Sequence, residues 1–297
     1  MAQGLESATG QRALMDLESR TGRKDFVALC GCLGLAEGDI RARPLSGGIY
    51  SRTVLVTSPK GEWAVRLPSD GLLGGIDSAK ETDLLSAMAD AGLSPSPLDN
   101  PPPGYVVTQY LSGARPLAEE DTRDPDTLQR IAKRLRELHS IPFELPRFRA
   151  TAVARSYVDS LGEADLTGEQ RAWCAECLEL AASYDQRHSA VVLCHNDLVA
   201  SNILDDGEIW FIDFEYAVLA DPLLDLAGLA AMNGLSADRC RLLADSYYGN
   251  EDRPFDPQTF AETIRLLRLI AYLWASANSE RNAAADAFVA RMATMLR

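Results

Sequence analysis

Val191-Val192-Leu193-Cys194-His195-Asn196-Asp197-Leu198-Val199-Ala200-Ser201-Asn202-Ile203-Leu204 is followed closely by Trp210-Phe211-Ile212-Asp213-Phe214-Glu215-Tyr216. The apolar run 191–194 ends in a polar turn, and a second apolar run, 209–214, contains another carboxylate at its end. Between them, Asp205-Asp206-Gly207 is a hairpin-type turn signal, because glycine takes the positive φ that a tight turn demands. Two short buried strands would deliver Asp197, Asn202 and Asp213 to one place.

The spacing within that set carries chemistry. Asn202 stands five residues after Asp197, and His195 two residues before it. In a kinase catalytic loop an Asp accepts the proton of the attacking hydroxyl. An Asn at this offset and a second Asp on a nearby strand hold magnesium against the phosphates. A single polar triplet of this kind is often a plain strand cap. The joint pattern, with an apolar strand before each element, is specific.

These residues resemble the aminoglycoside phosphotransferase and choline/ethanolamine kinase superfamily. His195-Asn196-Asp197 and Ile212-Asp213-Phe214-Glu215-Tyr216-Ala217 are most similar to its choline/ethanolamine kinase branch, and the likeness extends from about residue 40 to the C-terminus. The resemblance implies an α+β, protein-kinase-like fold of two lobes. Residues 1–111 would form a small nucleotide-binding lobe of antiparallel sheet with leading helices. Residues 112–297 would form a larger, mainly helical lobe with the catalytic loop and acceptor site. The implied activity moves the γ-phosphoryl of ATP, or of GTP, to a hydroxyl of a small molecule with Mg2+. Asp197 would be the base, and Asn202 and Asp213 the metal ligands.

Composition agrees with an enzyme of this size and excludes some partners. The chain has 297 residues, 46% hydrophobic and 24% charged, enough for a large core. Its formal charge of -14 argues against nucleic acid and anionic membrane, which select basic surfaces, and is compatible with a cationic acceptor. No apolar run is long enough to span a membrane, and the first twenty residues lack a signal-peptide pattern. The six cysteines show no zinc-site spacing. They fit reduced thiols, hence a cytoplasmic location.

From residue 40 the period changes to that of strands. Arg41 to Leu45, then Thr53 to Thr57, then Glu62 to Leu67 read as three strands, joined by glycine turns. The first turn, Ser46-Gly47-Gly48-Ile49-Tyr50-Ser51, is placed like a kinase phosphate loop, where glycine lets backbone amides approach phosphate oxygens. Ser46, Gly47, Gly48 and Ser51 are its candidate contacts; relatives of the choline-kinase type carry an Asn shortly after the glycines, where this chain has Tyr50 and Ser51. Arg66 is the candidate cation facing the nucleotide, with a surface strand arginine as the plain alternative. Glu81, early on a helix over 76–88, is its candidate partner, with Asp77 and Lys80 as competitors. Gly104 to Leu111 reads as a strand leading into the connection between lobes. Backbone groups near Gln109 and Leu111 would read the adenine edge.

In the second lobe Asp124-Pro125 opens a helix, with Leu128, Ile131, Leu135 and Leu138 on its buried face and His139 at its end as a packing or capping residue. The resemblance assigns Asp225 a bracing role beneath the catalytic loop. Glu215, Tyr216 and Trp274 are candidate acceptor contacts, although aromatics at helical spacing are commonly core. Choline-kinase relatives carry an acid about two helical turns after the position of Asp225, and this chain has Met232 there. That departure implies an acceptor larger than choline, with apolar surface against Met232. Three functions compete: a choline- or ethanolamine-type kinase, an antibiotic O-phosphotransferase conferring resistance, and a nucleotide-binding pseudokinase. The last predicts damage at Asp197, Asn202 or Asp213, and all three are intact.

Overall fold

The computed structural model describes residues 26–36, 39–45, 53–68, 75–162, 166–187, 190–249, 255–277 and 283–297. Among them, a helix α1 (residues 26–33) precedes strands β1 (Arg41–Pro44), β2 (Thr53–Ser58) and β3 (Gly61–Arg66). Helix α2 (Ser78–Asp90), β4 (Val106–Gln109) and β5 (Arg115–Pro116) follow, then α3 (Glu119–Arg123), α4 (Pro125–His139), α5 (Ala150–Leu161) and α6 (Gly168–Asp185). Strands β6 (Val192–Cys194), β7 (Ile203–Asp205), β8 (Ile209–Phe211) and β9 (Val218–Ala220) carry the central motif. Helices α7 (Leu223–Asn233), α8 (Ala237–Tyr248), α9 (Pro257–Ala277) and α10 (Ala283–Leu296) complete the chain.

The chain forms two compact units. The first takes in the described residues of Met1–Leu72, Ile76–Arg115 and Leu204–Glu215, and the second those of Leu73–Gly75, Pro116–Ile203 and Tyr216–Arg297.

The first unit is built on an antiparallel sheet in the order β1-β2-β3-β4. Strand residues alternate between faces, which fixes what each side chain meets. Val54 and Val56 of β2, Val65 of β3 and Val107 of β4 join Phe26, Leu29 and Leu33 of α1 in one buried cluster. Val65 pairs with Val54 on one side and Val107 on the other, so the cluster runs across the sheet. Arg66, one residue on, therefore projects to the opposite face. Asp77 caps α2 by accepting the Lys80 N–H at 2.9 Å. This interaction places Glu81 in the first helical turn, where it is fully buried.

The second unit is helical. Asp124 caps α4, accepting the Thr127 N–H, and proline occupies the first turn. Leu128, Ile131, Leu135 and Leu138 line its fully buried face. Helix α9 packs against α5, α6, α7 and α10. A two-pronged pair, Arg265 Nε and Nη2 to Glu176 at 2.8 and 2.7 Å, fastens α9 to α6.

Strand pairing around the motif differs from the sequence expectation. The turn Asp205-Asp206-Gly207 joins β7 to β8, with Gly207 at φ +108° and its N–H on Asp205 Oδ1 at 2.9 Å. The run 191–194 supplies β6, which instead pairs antiparallel with β9, Cys194 opposite Val218. Strand β8 stops at Phe211, two residues short of Asp213. Asp213 sits at φ +67°, in the left-handed region, which ends extended pairing there. No disulfide joins any of the six cysteines, five of which are buried. No described helix is long and apolar enough to cross a membrane.

Candidate active site

The loop that follows β6 in the second unit, from His195 to Asn202, is held by one carboxylate. Cys194 ends β6, and the chain then turns through Asn196, which adopts φ +63°. Asn and Asp tolerate the left-handed region better than other side chains, and strain of this kind is concentrated where geometry is functional. Asp225, in the first turn of α7 and 1% exposed, accepts the His195 N–H at 2.8 Å and the Asn196 N–H at 2.7 Å. Asn196 Nδ2 donates onward to the Tyr216 carbonyl at 3.0 Å.

Asp225 has its own support. His139 Nε2 lies 3.0 Å from Asp225 Oδ2, and His139 Nδ1 lies 2.6 Å from the Tyr247 hydroxyl. Burial alone would raise the Asp225 carboxyl. The His139 hydrogen bond and charge and the two backbone amides outweigh it and hold the group below its ordinary value. A carboxylate accepts only, so His139 donates through Nε2, while Nδ1 shares a hydrogen bond with the Tyr247 hydroxyl. Burial also pushes the Tyr247 phenol well up, which keeps that hydroxyl protonated.

Asn202 Nδ2 donates to both the carbonyl and Oδ2 of Asp197, at 3.0 and 2.9 Å. The amide nitrogen is thus turned toward Asp197. Among the described residues no donor engages Asn202 Oδ1, and this leaves a hard oxygen of the kind that ligates magnesium. A second buried amide holds the same segment. Asn233 Oδ1 accepts the Ala200 N–H at 2.9 Å, and Asn233 Nδ2 donates to the Leu198 carbonyl at 2.9 Å. Sequence reading gave Asn233 no role. The signal was there, since it is a lone amide at the end of the apolar run 226–232.

In the first unit, Arg66 collects three carboxylates. Its guanidinium pairs with Glu81 through Nη2 and with Asp213 through Nη1, and Glu215 stands 3.5 Å from Nη1. The Arg66–Glu81 pair expected from sequence is present, and the competitor Asp77 serves as the α2 cap instead. Desolvation by burial would weaken the Arg66 charge, but Asp213, Glu81 and Glu215 together hold it more firmly protonated than an ordinary arginine. Burial pushes Glu81 up to about 7 against the opposing pull of Arg66, with Asp213 adding to the rise. The Ile76 N–H donates to the Glu215 carbonyl at 2.7 Å and anchors the segment after Asp213 to the start of α2.

The remaining candidates fall in three groups. Ser46, Gly47, Gly48 and Ser51 lie outside the described residues. At the end of β4, the Gln109 N–H donates to the Ser96 carbonyl at 2.8 Å and the Tyr110 N–H to the Glu62 carbonyl at 3.0 Å. Both amides are therefore engaged, and Leu111 carries the next one. In the second unit, Tyr216 and Trp274 meet edge to face at 6.3 Å, and Trp274 meets Phe288 in the same way at 6.2 Å. Met232 is half-buried near the end of α7, where three arginines cap the carbonyls: Arg268 on Ala231 at 3.4 Å, Arg291 on Met232 at 2.7 Å and Arg123 on Asn233 at 3.0 Å.

The model of a phosphotransferase enzyme family matches residues 41–263, and the chain belongs to that family. It is 24% identical over 246 residues to Protein LicA of Haemophilus influenzae, across 79% of this chain and 72% of that protein. Mouse choline/ethanolamine kinase is 30% identical over 163 residues, 49% of this chain and 41% of that one. The crystal structure of a choline/ethanolamine kinase family protein from Mesorhizobium loti superposes with a TM-score of 0.74 at 25% identity, covering 96% of this chain and 95% of that chain. The α+β, protein-kinase-like fold is thereby established, as is the coarse activity, a small-molecule kinase.

Proposed function

We propose that this member of the phosphotransferase family transfers the γ-phosphoryl group of ATP, or of GTP, to a hydroxyl of a small molecule larger than choline. The observation that carries the reading is the Asp197–Asn202 unit, a carboxylate and an amide locked together on a loop braced by Asp225. The five-residue spacing of Asp197 and Asn202 belongs to phosphoryl transfer.

Asp197 orients the acceptor hydroxyl and takes its proton as the new P–O bond forms and the bond from the γ-phosphorus to the β-phosphate oxygen breaks, releasing the nucleoside diphosphate. Asn202 and Asp213 supply oxygen ligands that suit magnesium, since Asn202 Oδ1 is unengaged and Asp213 offers a carboxylate. Magnesium, when bound, neutralises charge on the phosphates. Arg66, positioned by Glu81, offers a planar pair of donors to phosphate oxygens. We assign Ser46, Gly47, Gly48 and Ser51 to the phosphate loop and the backbone of Gln109 and Leu111 to the base. The first of these assignments rests on sequence alone. The corresponding division of labour is a nucleotide lobe over 1–111 and a catalytic lobe over 112–297, in a protein of the cytoplasm.

For the acceptor, Glu215 and Tyr216 stand two and three residues after Asp213, and Trp274 meets Tyr216 edge to face. Three guanidinium groups cap the carbonyls at the end of α7 beside Met232, and the acid among them, Glu119, is taken up by Arg123 and Arg291, which leaves little for a bare quaternary ammonium that seeks anions or aromatic faces. That observation favours a bulkier acceptor, including a hydroxylated antibiotic, over choline. The test is acceptor-dependent ADP release by the purified protein with ATP and magnesium, across choline, ethanolamine, larger amino alcohols and hydroxylated antibiotics. The expected result is turnover with a bulky acceptor well above the acceptor-free rate. ADP release that no acceptor stimulates would overturn the proposal.

A further inference from the structure

Helix α7 holds the loop after β6 from two places. Asp225, in its first turn, takes the His195 and Asn196 N–H groups just before Asp197. Asn233, its last residue, takes Leu198 and Ala200 just after it. At 1.5 Å per residue the two anchors stand about 12 Å apart along the helix axis, and Asp197 lies between the segments they grip.

The Asn233 amide has one orientation. Both Nδ2 hydrogens are used, one on the Leu198 carbonyl at 2.9 Å and one on the Leu229 carbonyl at 2.8 Å, and Oδ1 accepts the Ala200 N–H at 2.9 Å. Exchanging nitrogen and oxygen would set an acceptor against two carbonyls and a donor against an N–H. Asn233, Leu198 and Ala200 are all buried, so water does not compete for these bonds.

An asparagine at a helix end ordinarily serves the helix itself. Here the end of α7 is closed by other groups. Gly234 takes the left-handed conformation at φ +64°, and its N–H and that of Leu235 return to the Ala230 carbonyl. Arg123 Nε donates to the Asn233 carbonyl at 3.0 Å, and Arg123 is itself held by Glu119 at 2.9 Å. With the last turn fixed in this way, and one Nδ2 hydrogen on Leu229, the rest of the Asn233 amide is committed to the loop.

What that grip sets is the offset between Asp197 and Asn202. Leu198 and Ala200 flank Val199. The Val199 N–H donates to the Asp197 carbonyl at 3.0 Å, and the Val199 carbonyl accepts the Asn202 N–H at 3.0 Å. A backbone held on both sides of Val199 therefore fixes the two turns that carry Asp197 and Asn202. We propose that Asn233 is a positioning residue for phosphoryl transfer, locking residues 198–200 and so keeping Asp197 and Asn202 in register. The proposal rests on the reading of Asp197 as the base and Asn202 as a magnesium ligand. A misplacement of about 1 Å in such a constellation costs about a hundredfold in rate.

Asn233→Leu keeps the volume and removes the amide. Residue-resolved hydrogen exchange, which needs no acceptor, tests the lock. The Val199 and Asn202 N–H groups, which Asn233 does not touch, should exchange about tenfold faster or more, relative to amides of α4. Faster exchange at Ala200 alone would mark a local contact and overturn the proposal. Kinetics with magnesium-ATP, and with the acceptor of the panel above that gives the fastest ADP release, test the consequence. We expect kcat about tenfold lower or more, with little change in the KM for ATP. Unchanged kcat overturns the role. So does an equal kcat loss in Leu269→Ala, which lowers stability by emptying a fully buried site on α9. If Asn233→Leu does not fold, Asn233→Ser, with room for a water at the freed groups, is judged by the same outcomes. Asp197→Asn measured in parallel keeps two failures apart. An Asp197→Asn protein as active as wild type sinks the reading of the site, whereas an inactive one beside a fully active Asn233 variant removes Asn233 alone.

Discussion

His139 and Asp225 are 86 residues apart in the chain and 3.0 Å apart in the fold, and both are buried. The contact matters because the same Asp225 carboxylate holds the His195 and Asn196 amides, next to Asp197. With Asp197 as the proposed base, His139 becomes a positioning residue, acting through Asp225 and the loop backbone. Replacing it with Ala removes a hydrogen bond to a buried charge, which costs about 2–4 kcal/mol. His139→Ala should lower the unfolding free energy by that amount and reduce kcat with little change in the KM for ATP. Tyr247→Phe leaves Nδ1 without its hydrogen-bond partner and should cost about 1–2 kcal/mol. Denaturant titration and steady-state kinetics check both. A His139→Ala protein that loses stability but keeps wild-type kcat would confine His139 to packing.

Glu81 gives the stability a measurable pH dependence. Its folded value, about 7, lies above the ordinary 4.5, so the folded state binds the proton more tightly than the unfolded state. The contribution is present in full below pH 4.5 and is lost as pH rises toward 7. It amounts to roughly 3 kcal/mol at most. Glu81→Gln should remove this dependence, so the wild-type minus variant difference in stability should fall as pH rises through that window, read from thermal unfolding at several pH values. A difference that does not vary with pH places the Glu81 proton elsewhere. The same pair also predicts non-additivity: Arg66→Ala combined with Glu81→Gln should lose less ATP affinity than the two single losses summed.

The two carboxylates of the motif should separate by what they lose. Asp197→Asn keeps the hydrogen bond from Asn202 Nδ2 in reach of an amide oxygen but removes the base. Turnover should fall about a hundredfold or more, with magnesium-ATP affinity nearly unchanged. Asp213→Asn removes the carboxylate proposed to hold magnesium and an anion from Arg66, so magnesium-dependent affinity should fall along with the rate. Calorimetry with ATP in the presence and absence of magnesium distinguishes them. Equal nucleotide affinity for Asp213→Asn and wild type would remove Asp213 from the metal site.

What the sequence made legible is what local periodicity controls. Arg66 on a period-two strand and Glu81 in a capped first turn are each fixed by a few neighbours, and the pair forms as the patterns imply. The partner of β6 was hidden, because three-residue strands such as Val192–Cys194 and Val218–Ala220 carry too little pattern to choose a mate. His139 presented itself as a helix-end histidine, and nothing near it in sequence names Asp225 or Tyr247. The arginine caps on α7 come from α3, α9 and α10, so no window of sequence contains them. The left-handed backbone at Asn196 and Asp213 was equally invisible, although both residue types permit it.

Those caps decide the last prediction, on the acceptor. The choline-kinase resemblance implies acids and aromatic faces around the substrate cation, with Met232 in the place of one such acid. The Met232 carbonyl is taken by Arg291, and Arg268 and Arg123 stand on the carbonyls either side. A quaternary ammonium entering there would lose hydration beside three guanidinium groups, of which Arg123 and Arg291 already share Glu119, and Glu215, Tyr216 and Trp274 are the contacts proposed to offset the cost. Choline should therefore be a poor substrate, with half-saturation far above the micromolar range. Met232→Glu supplies an anion beside those guanidinium groups and should improve kcat/KM for choline, by about tenfold for each 1.4 kcal/mol recovered. Met232→Gln, of similar size without charge, should leave choline use where it was. Steady-state kinetics of the three proteins with choline and with a bulky acceptor give the answer. Efficient wild-type turnover of choline would show that the acid is dispensable and that Met232 does not set the acceptor.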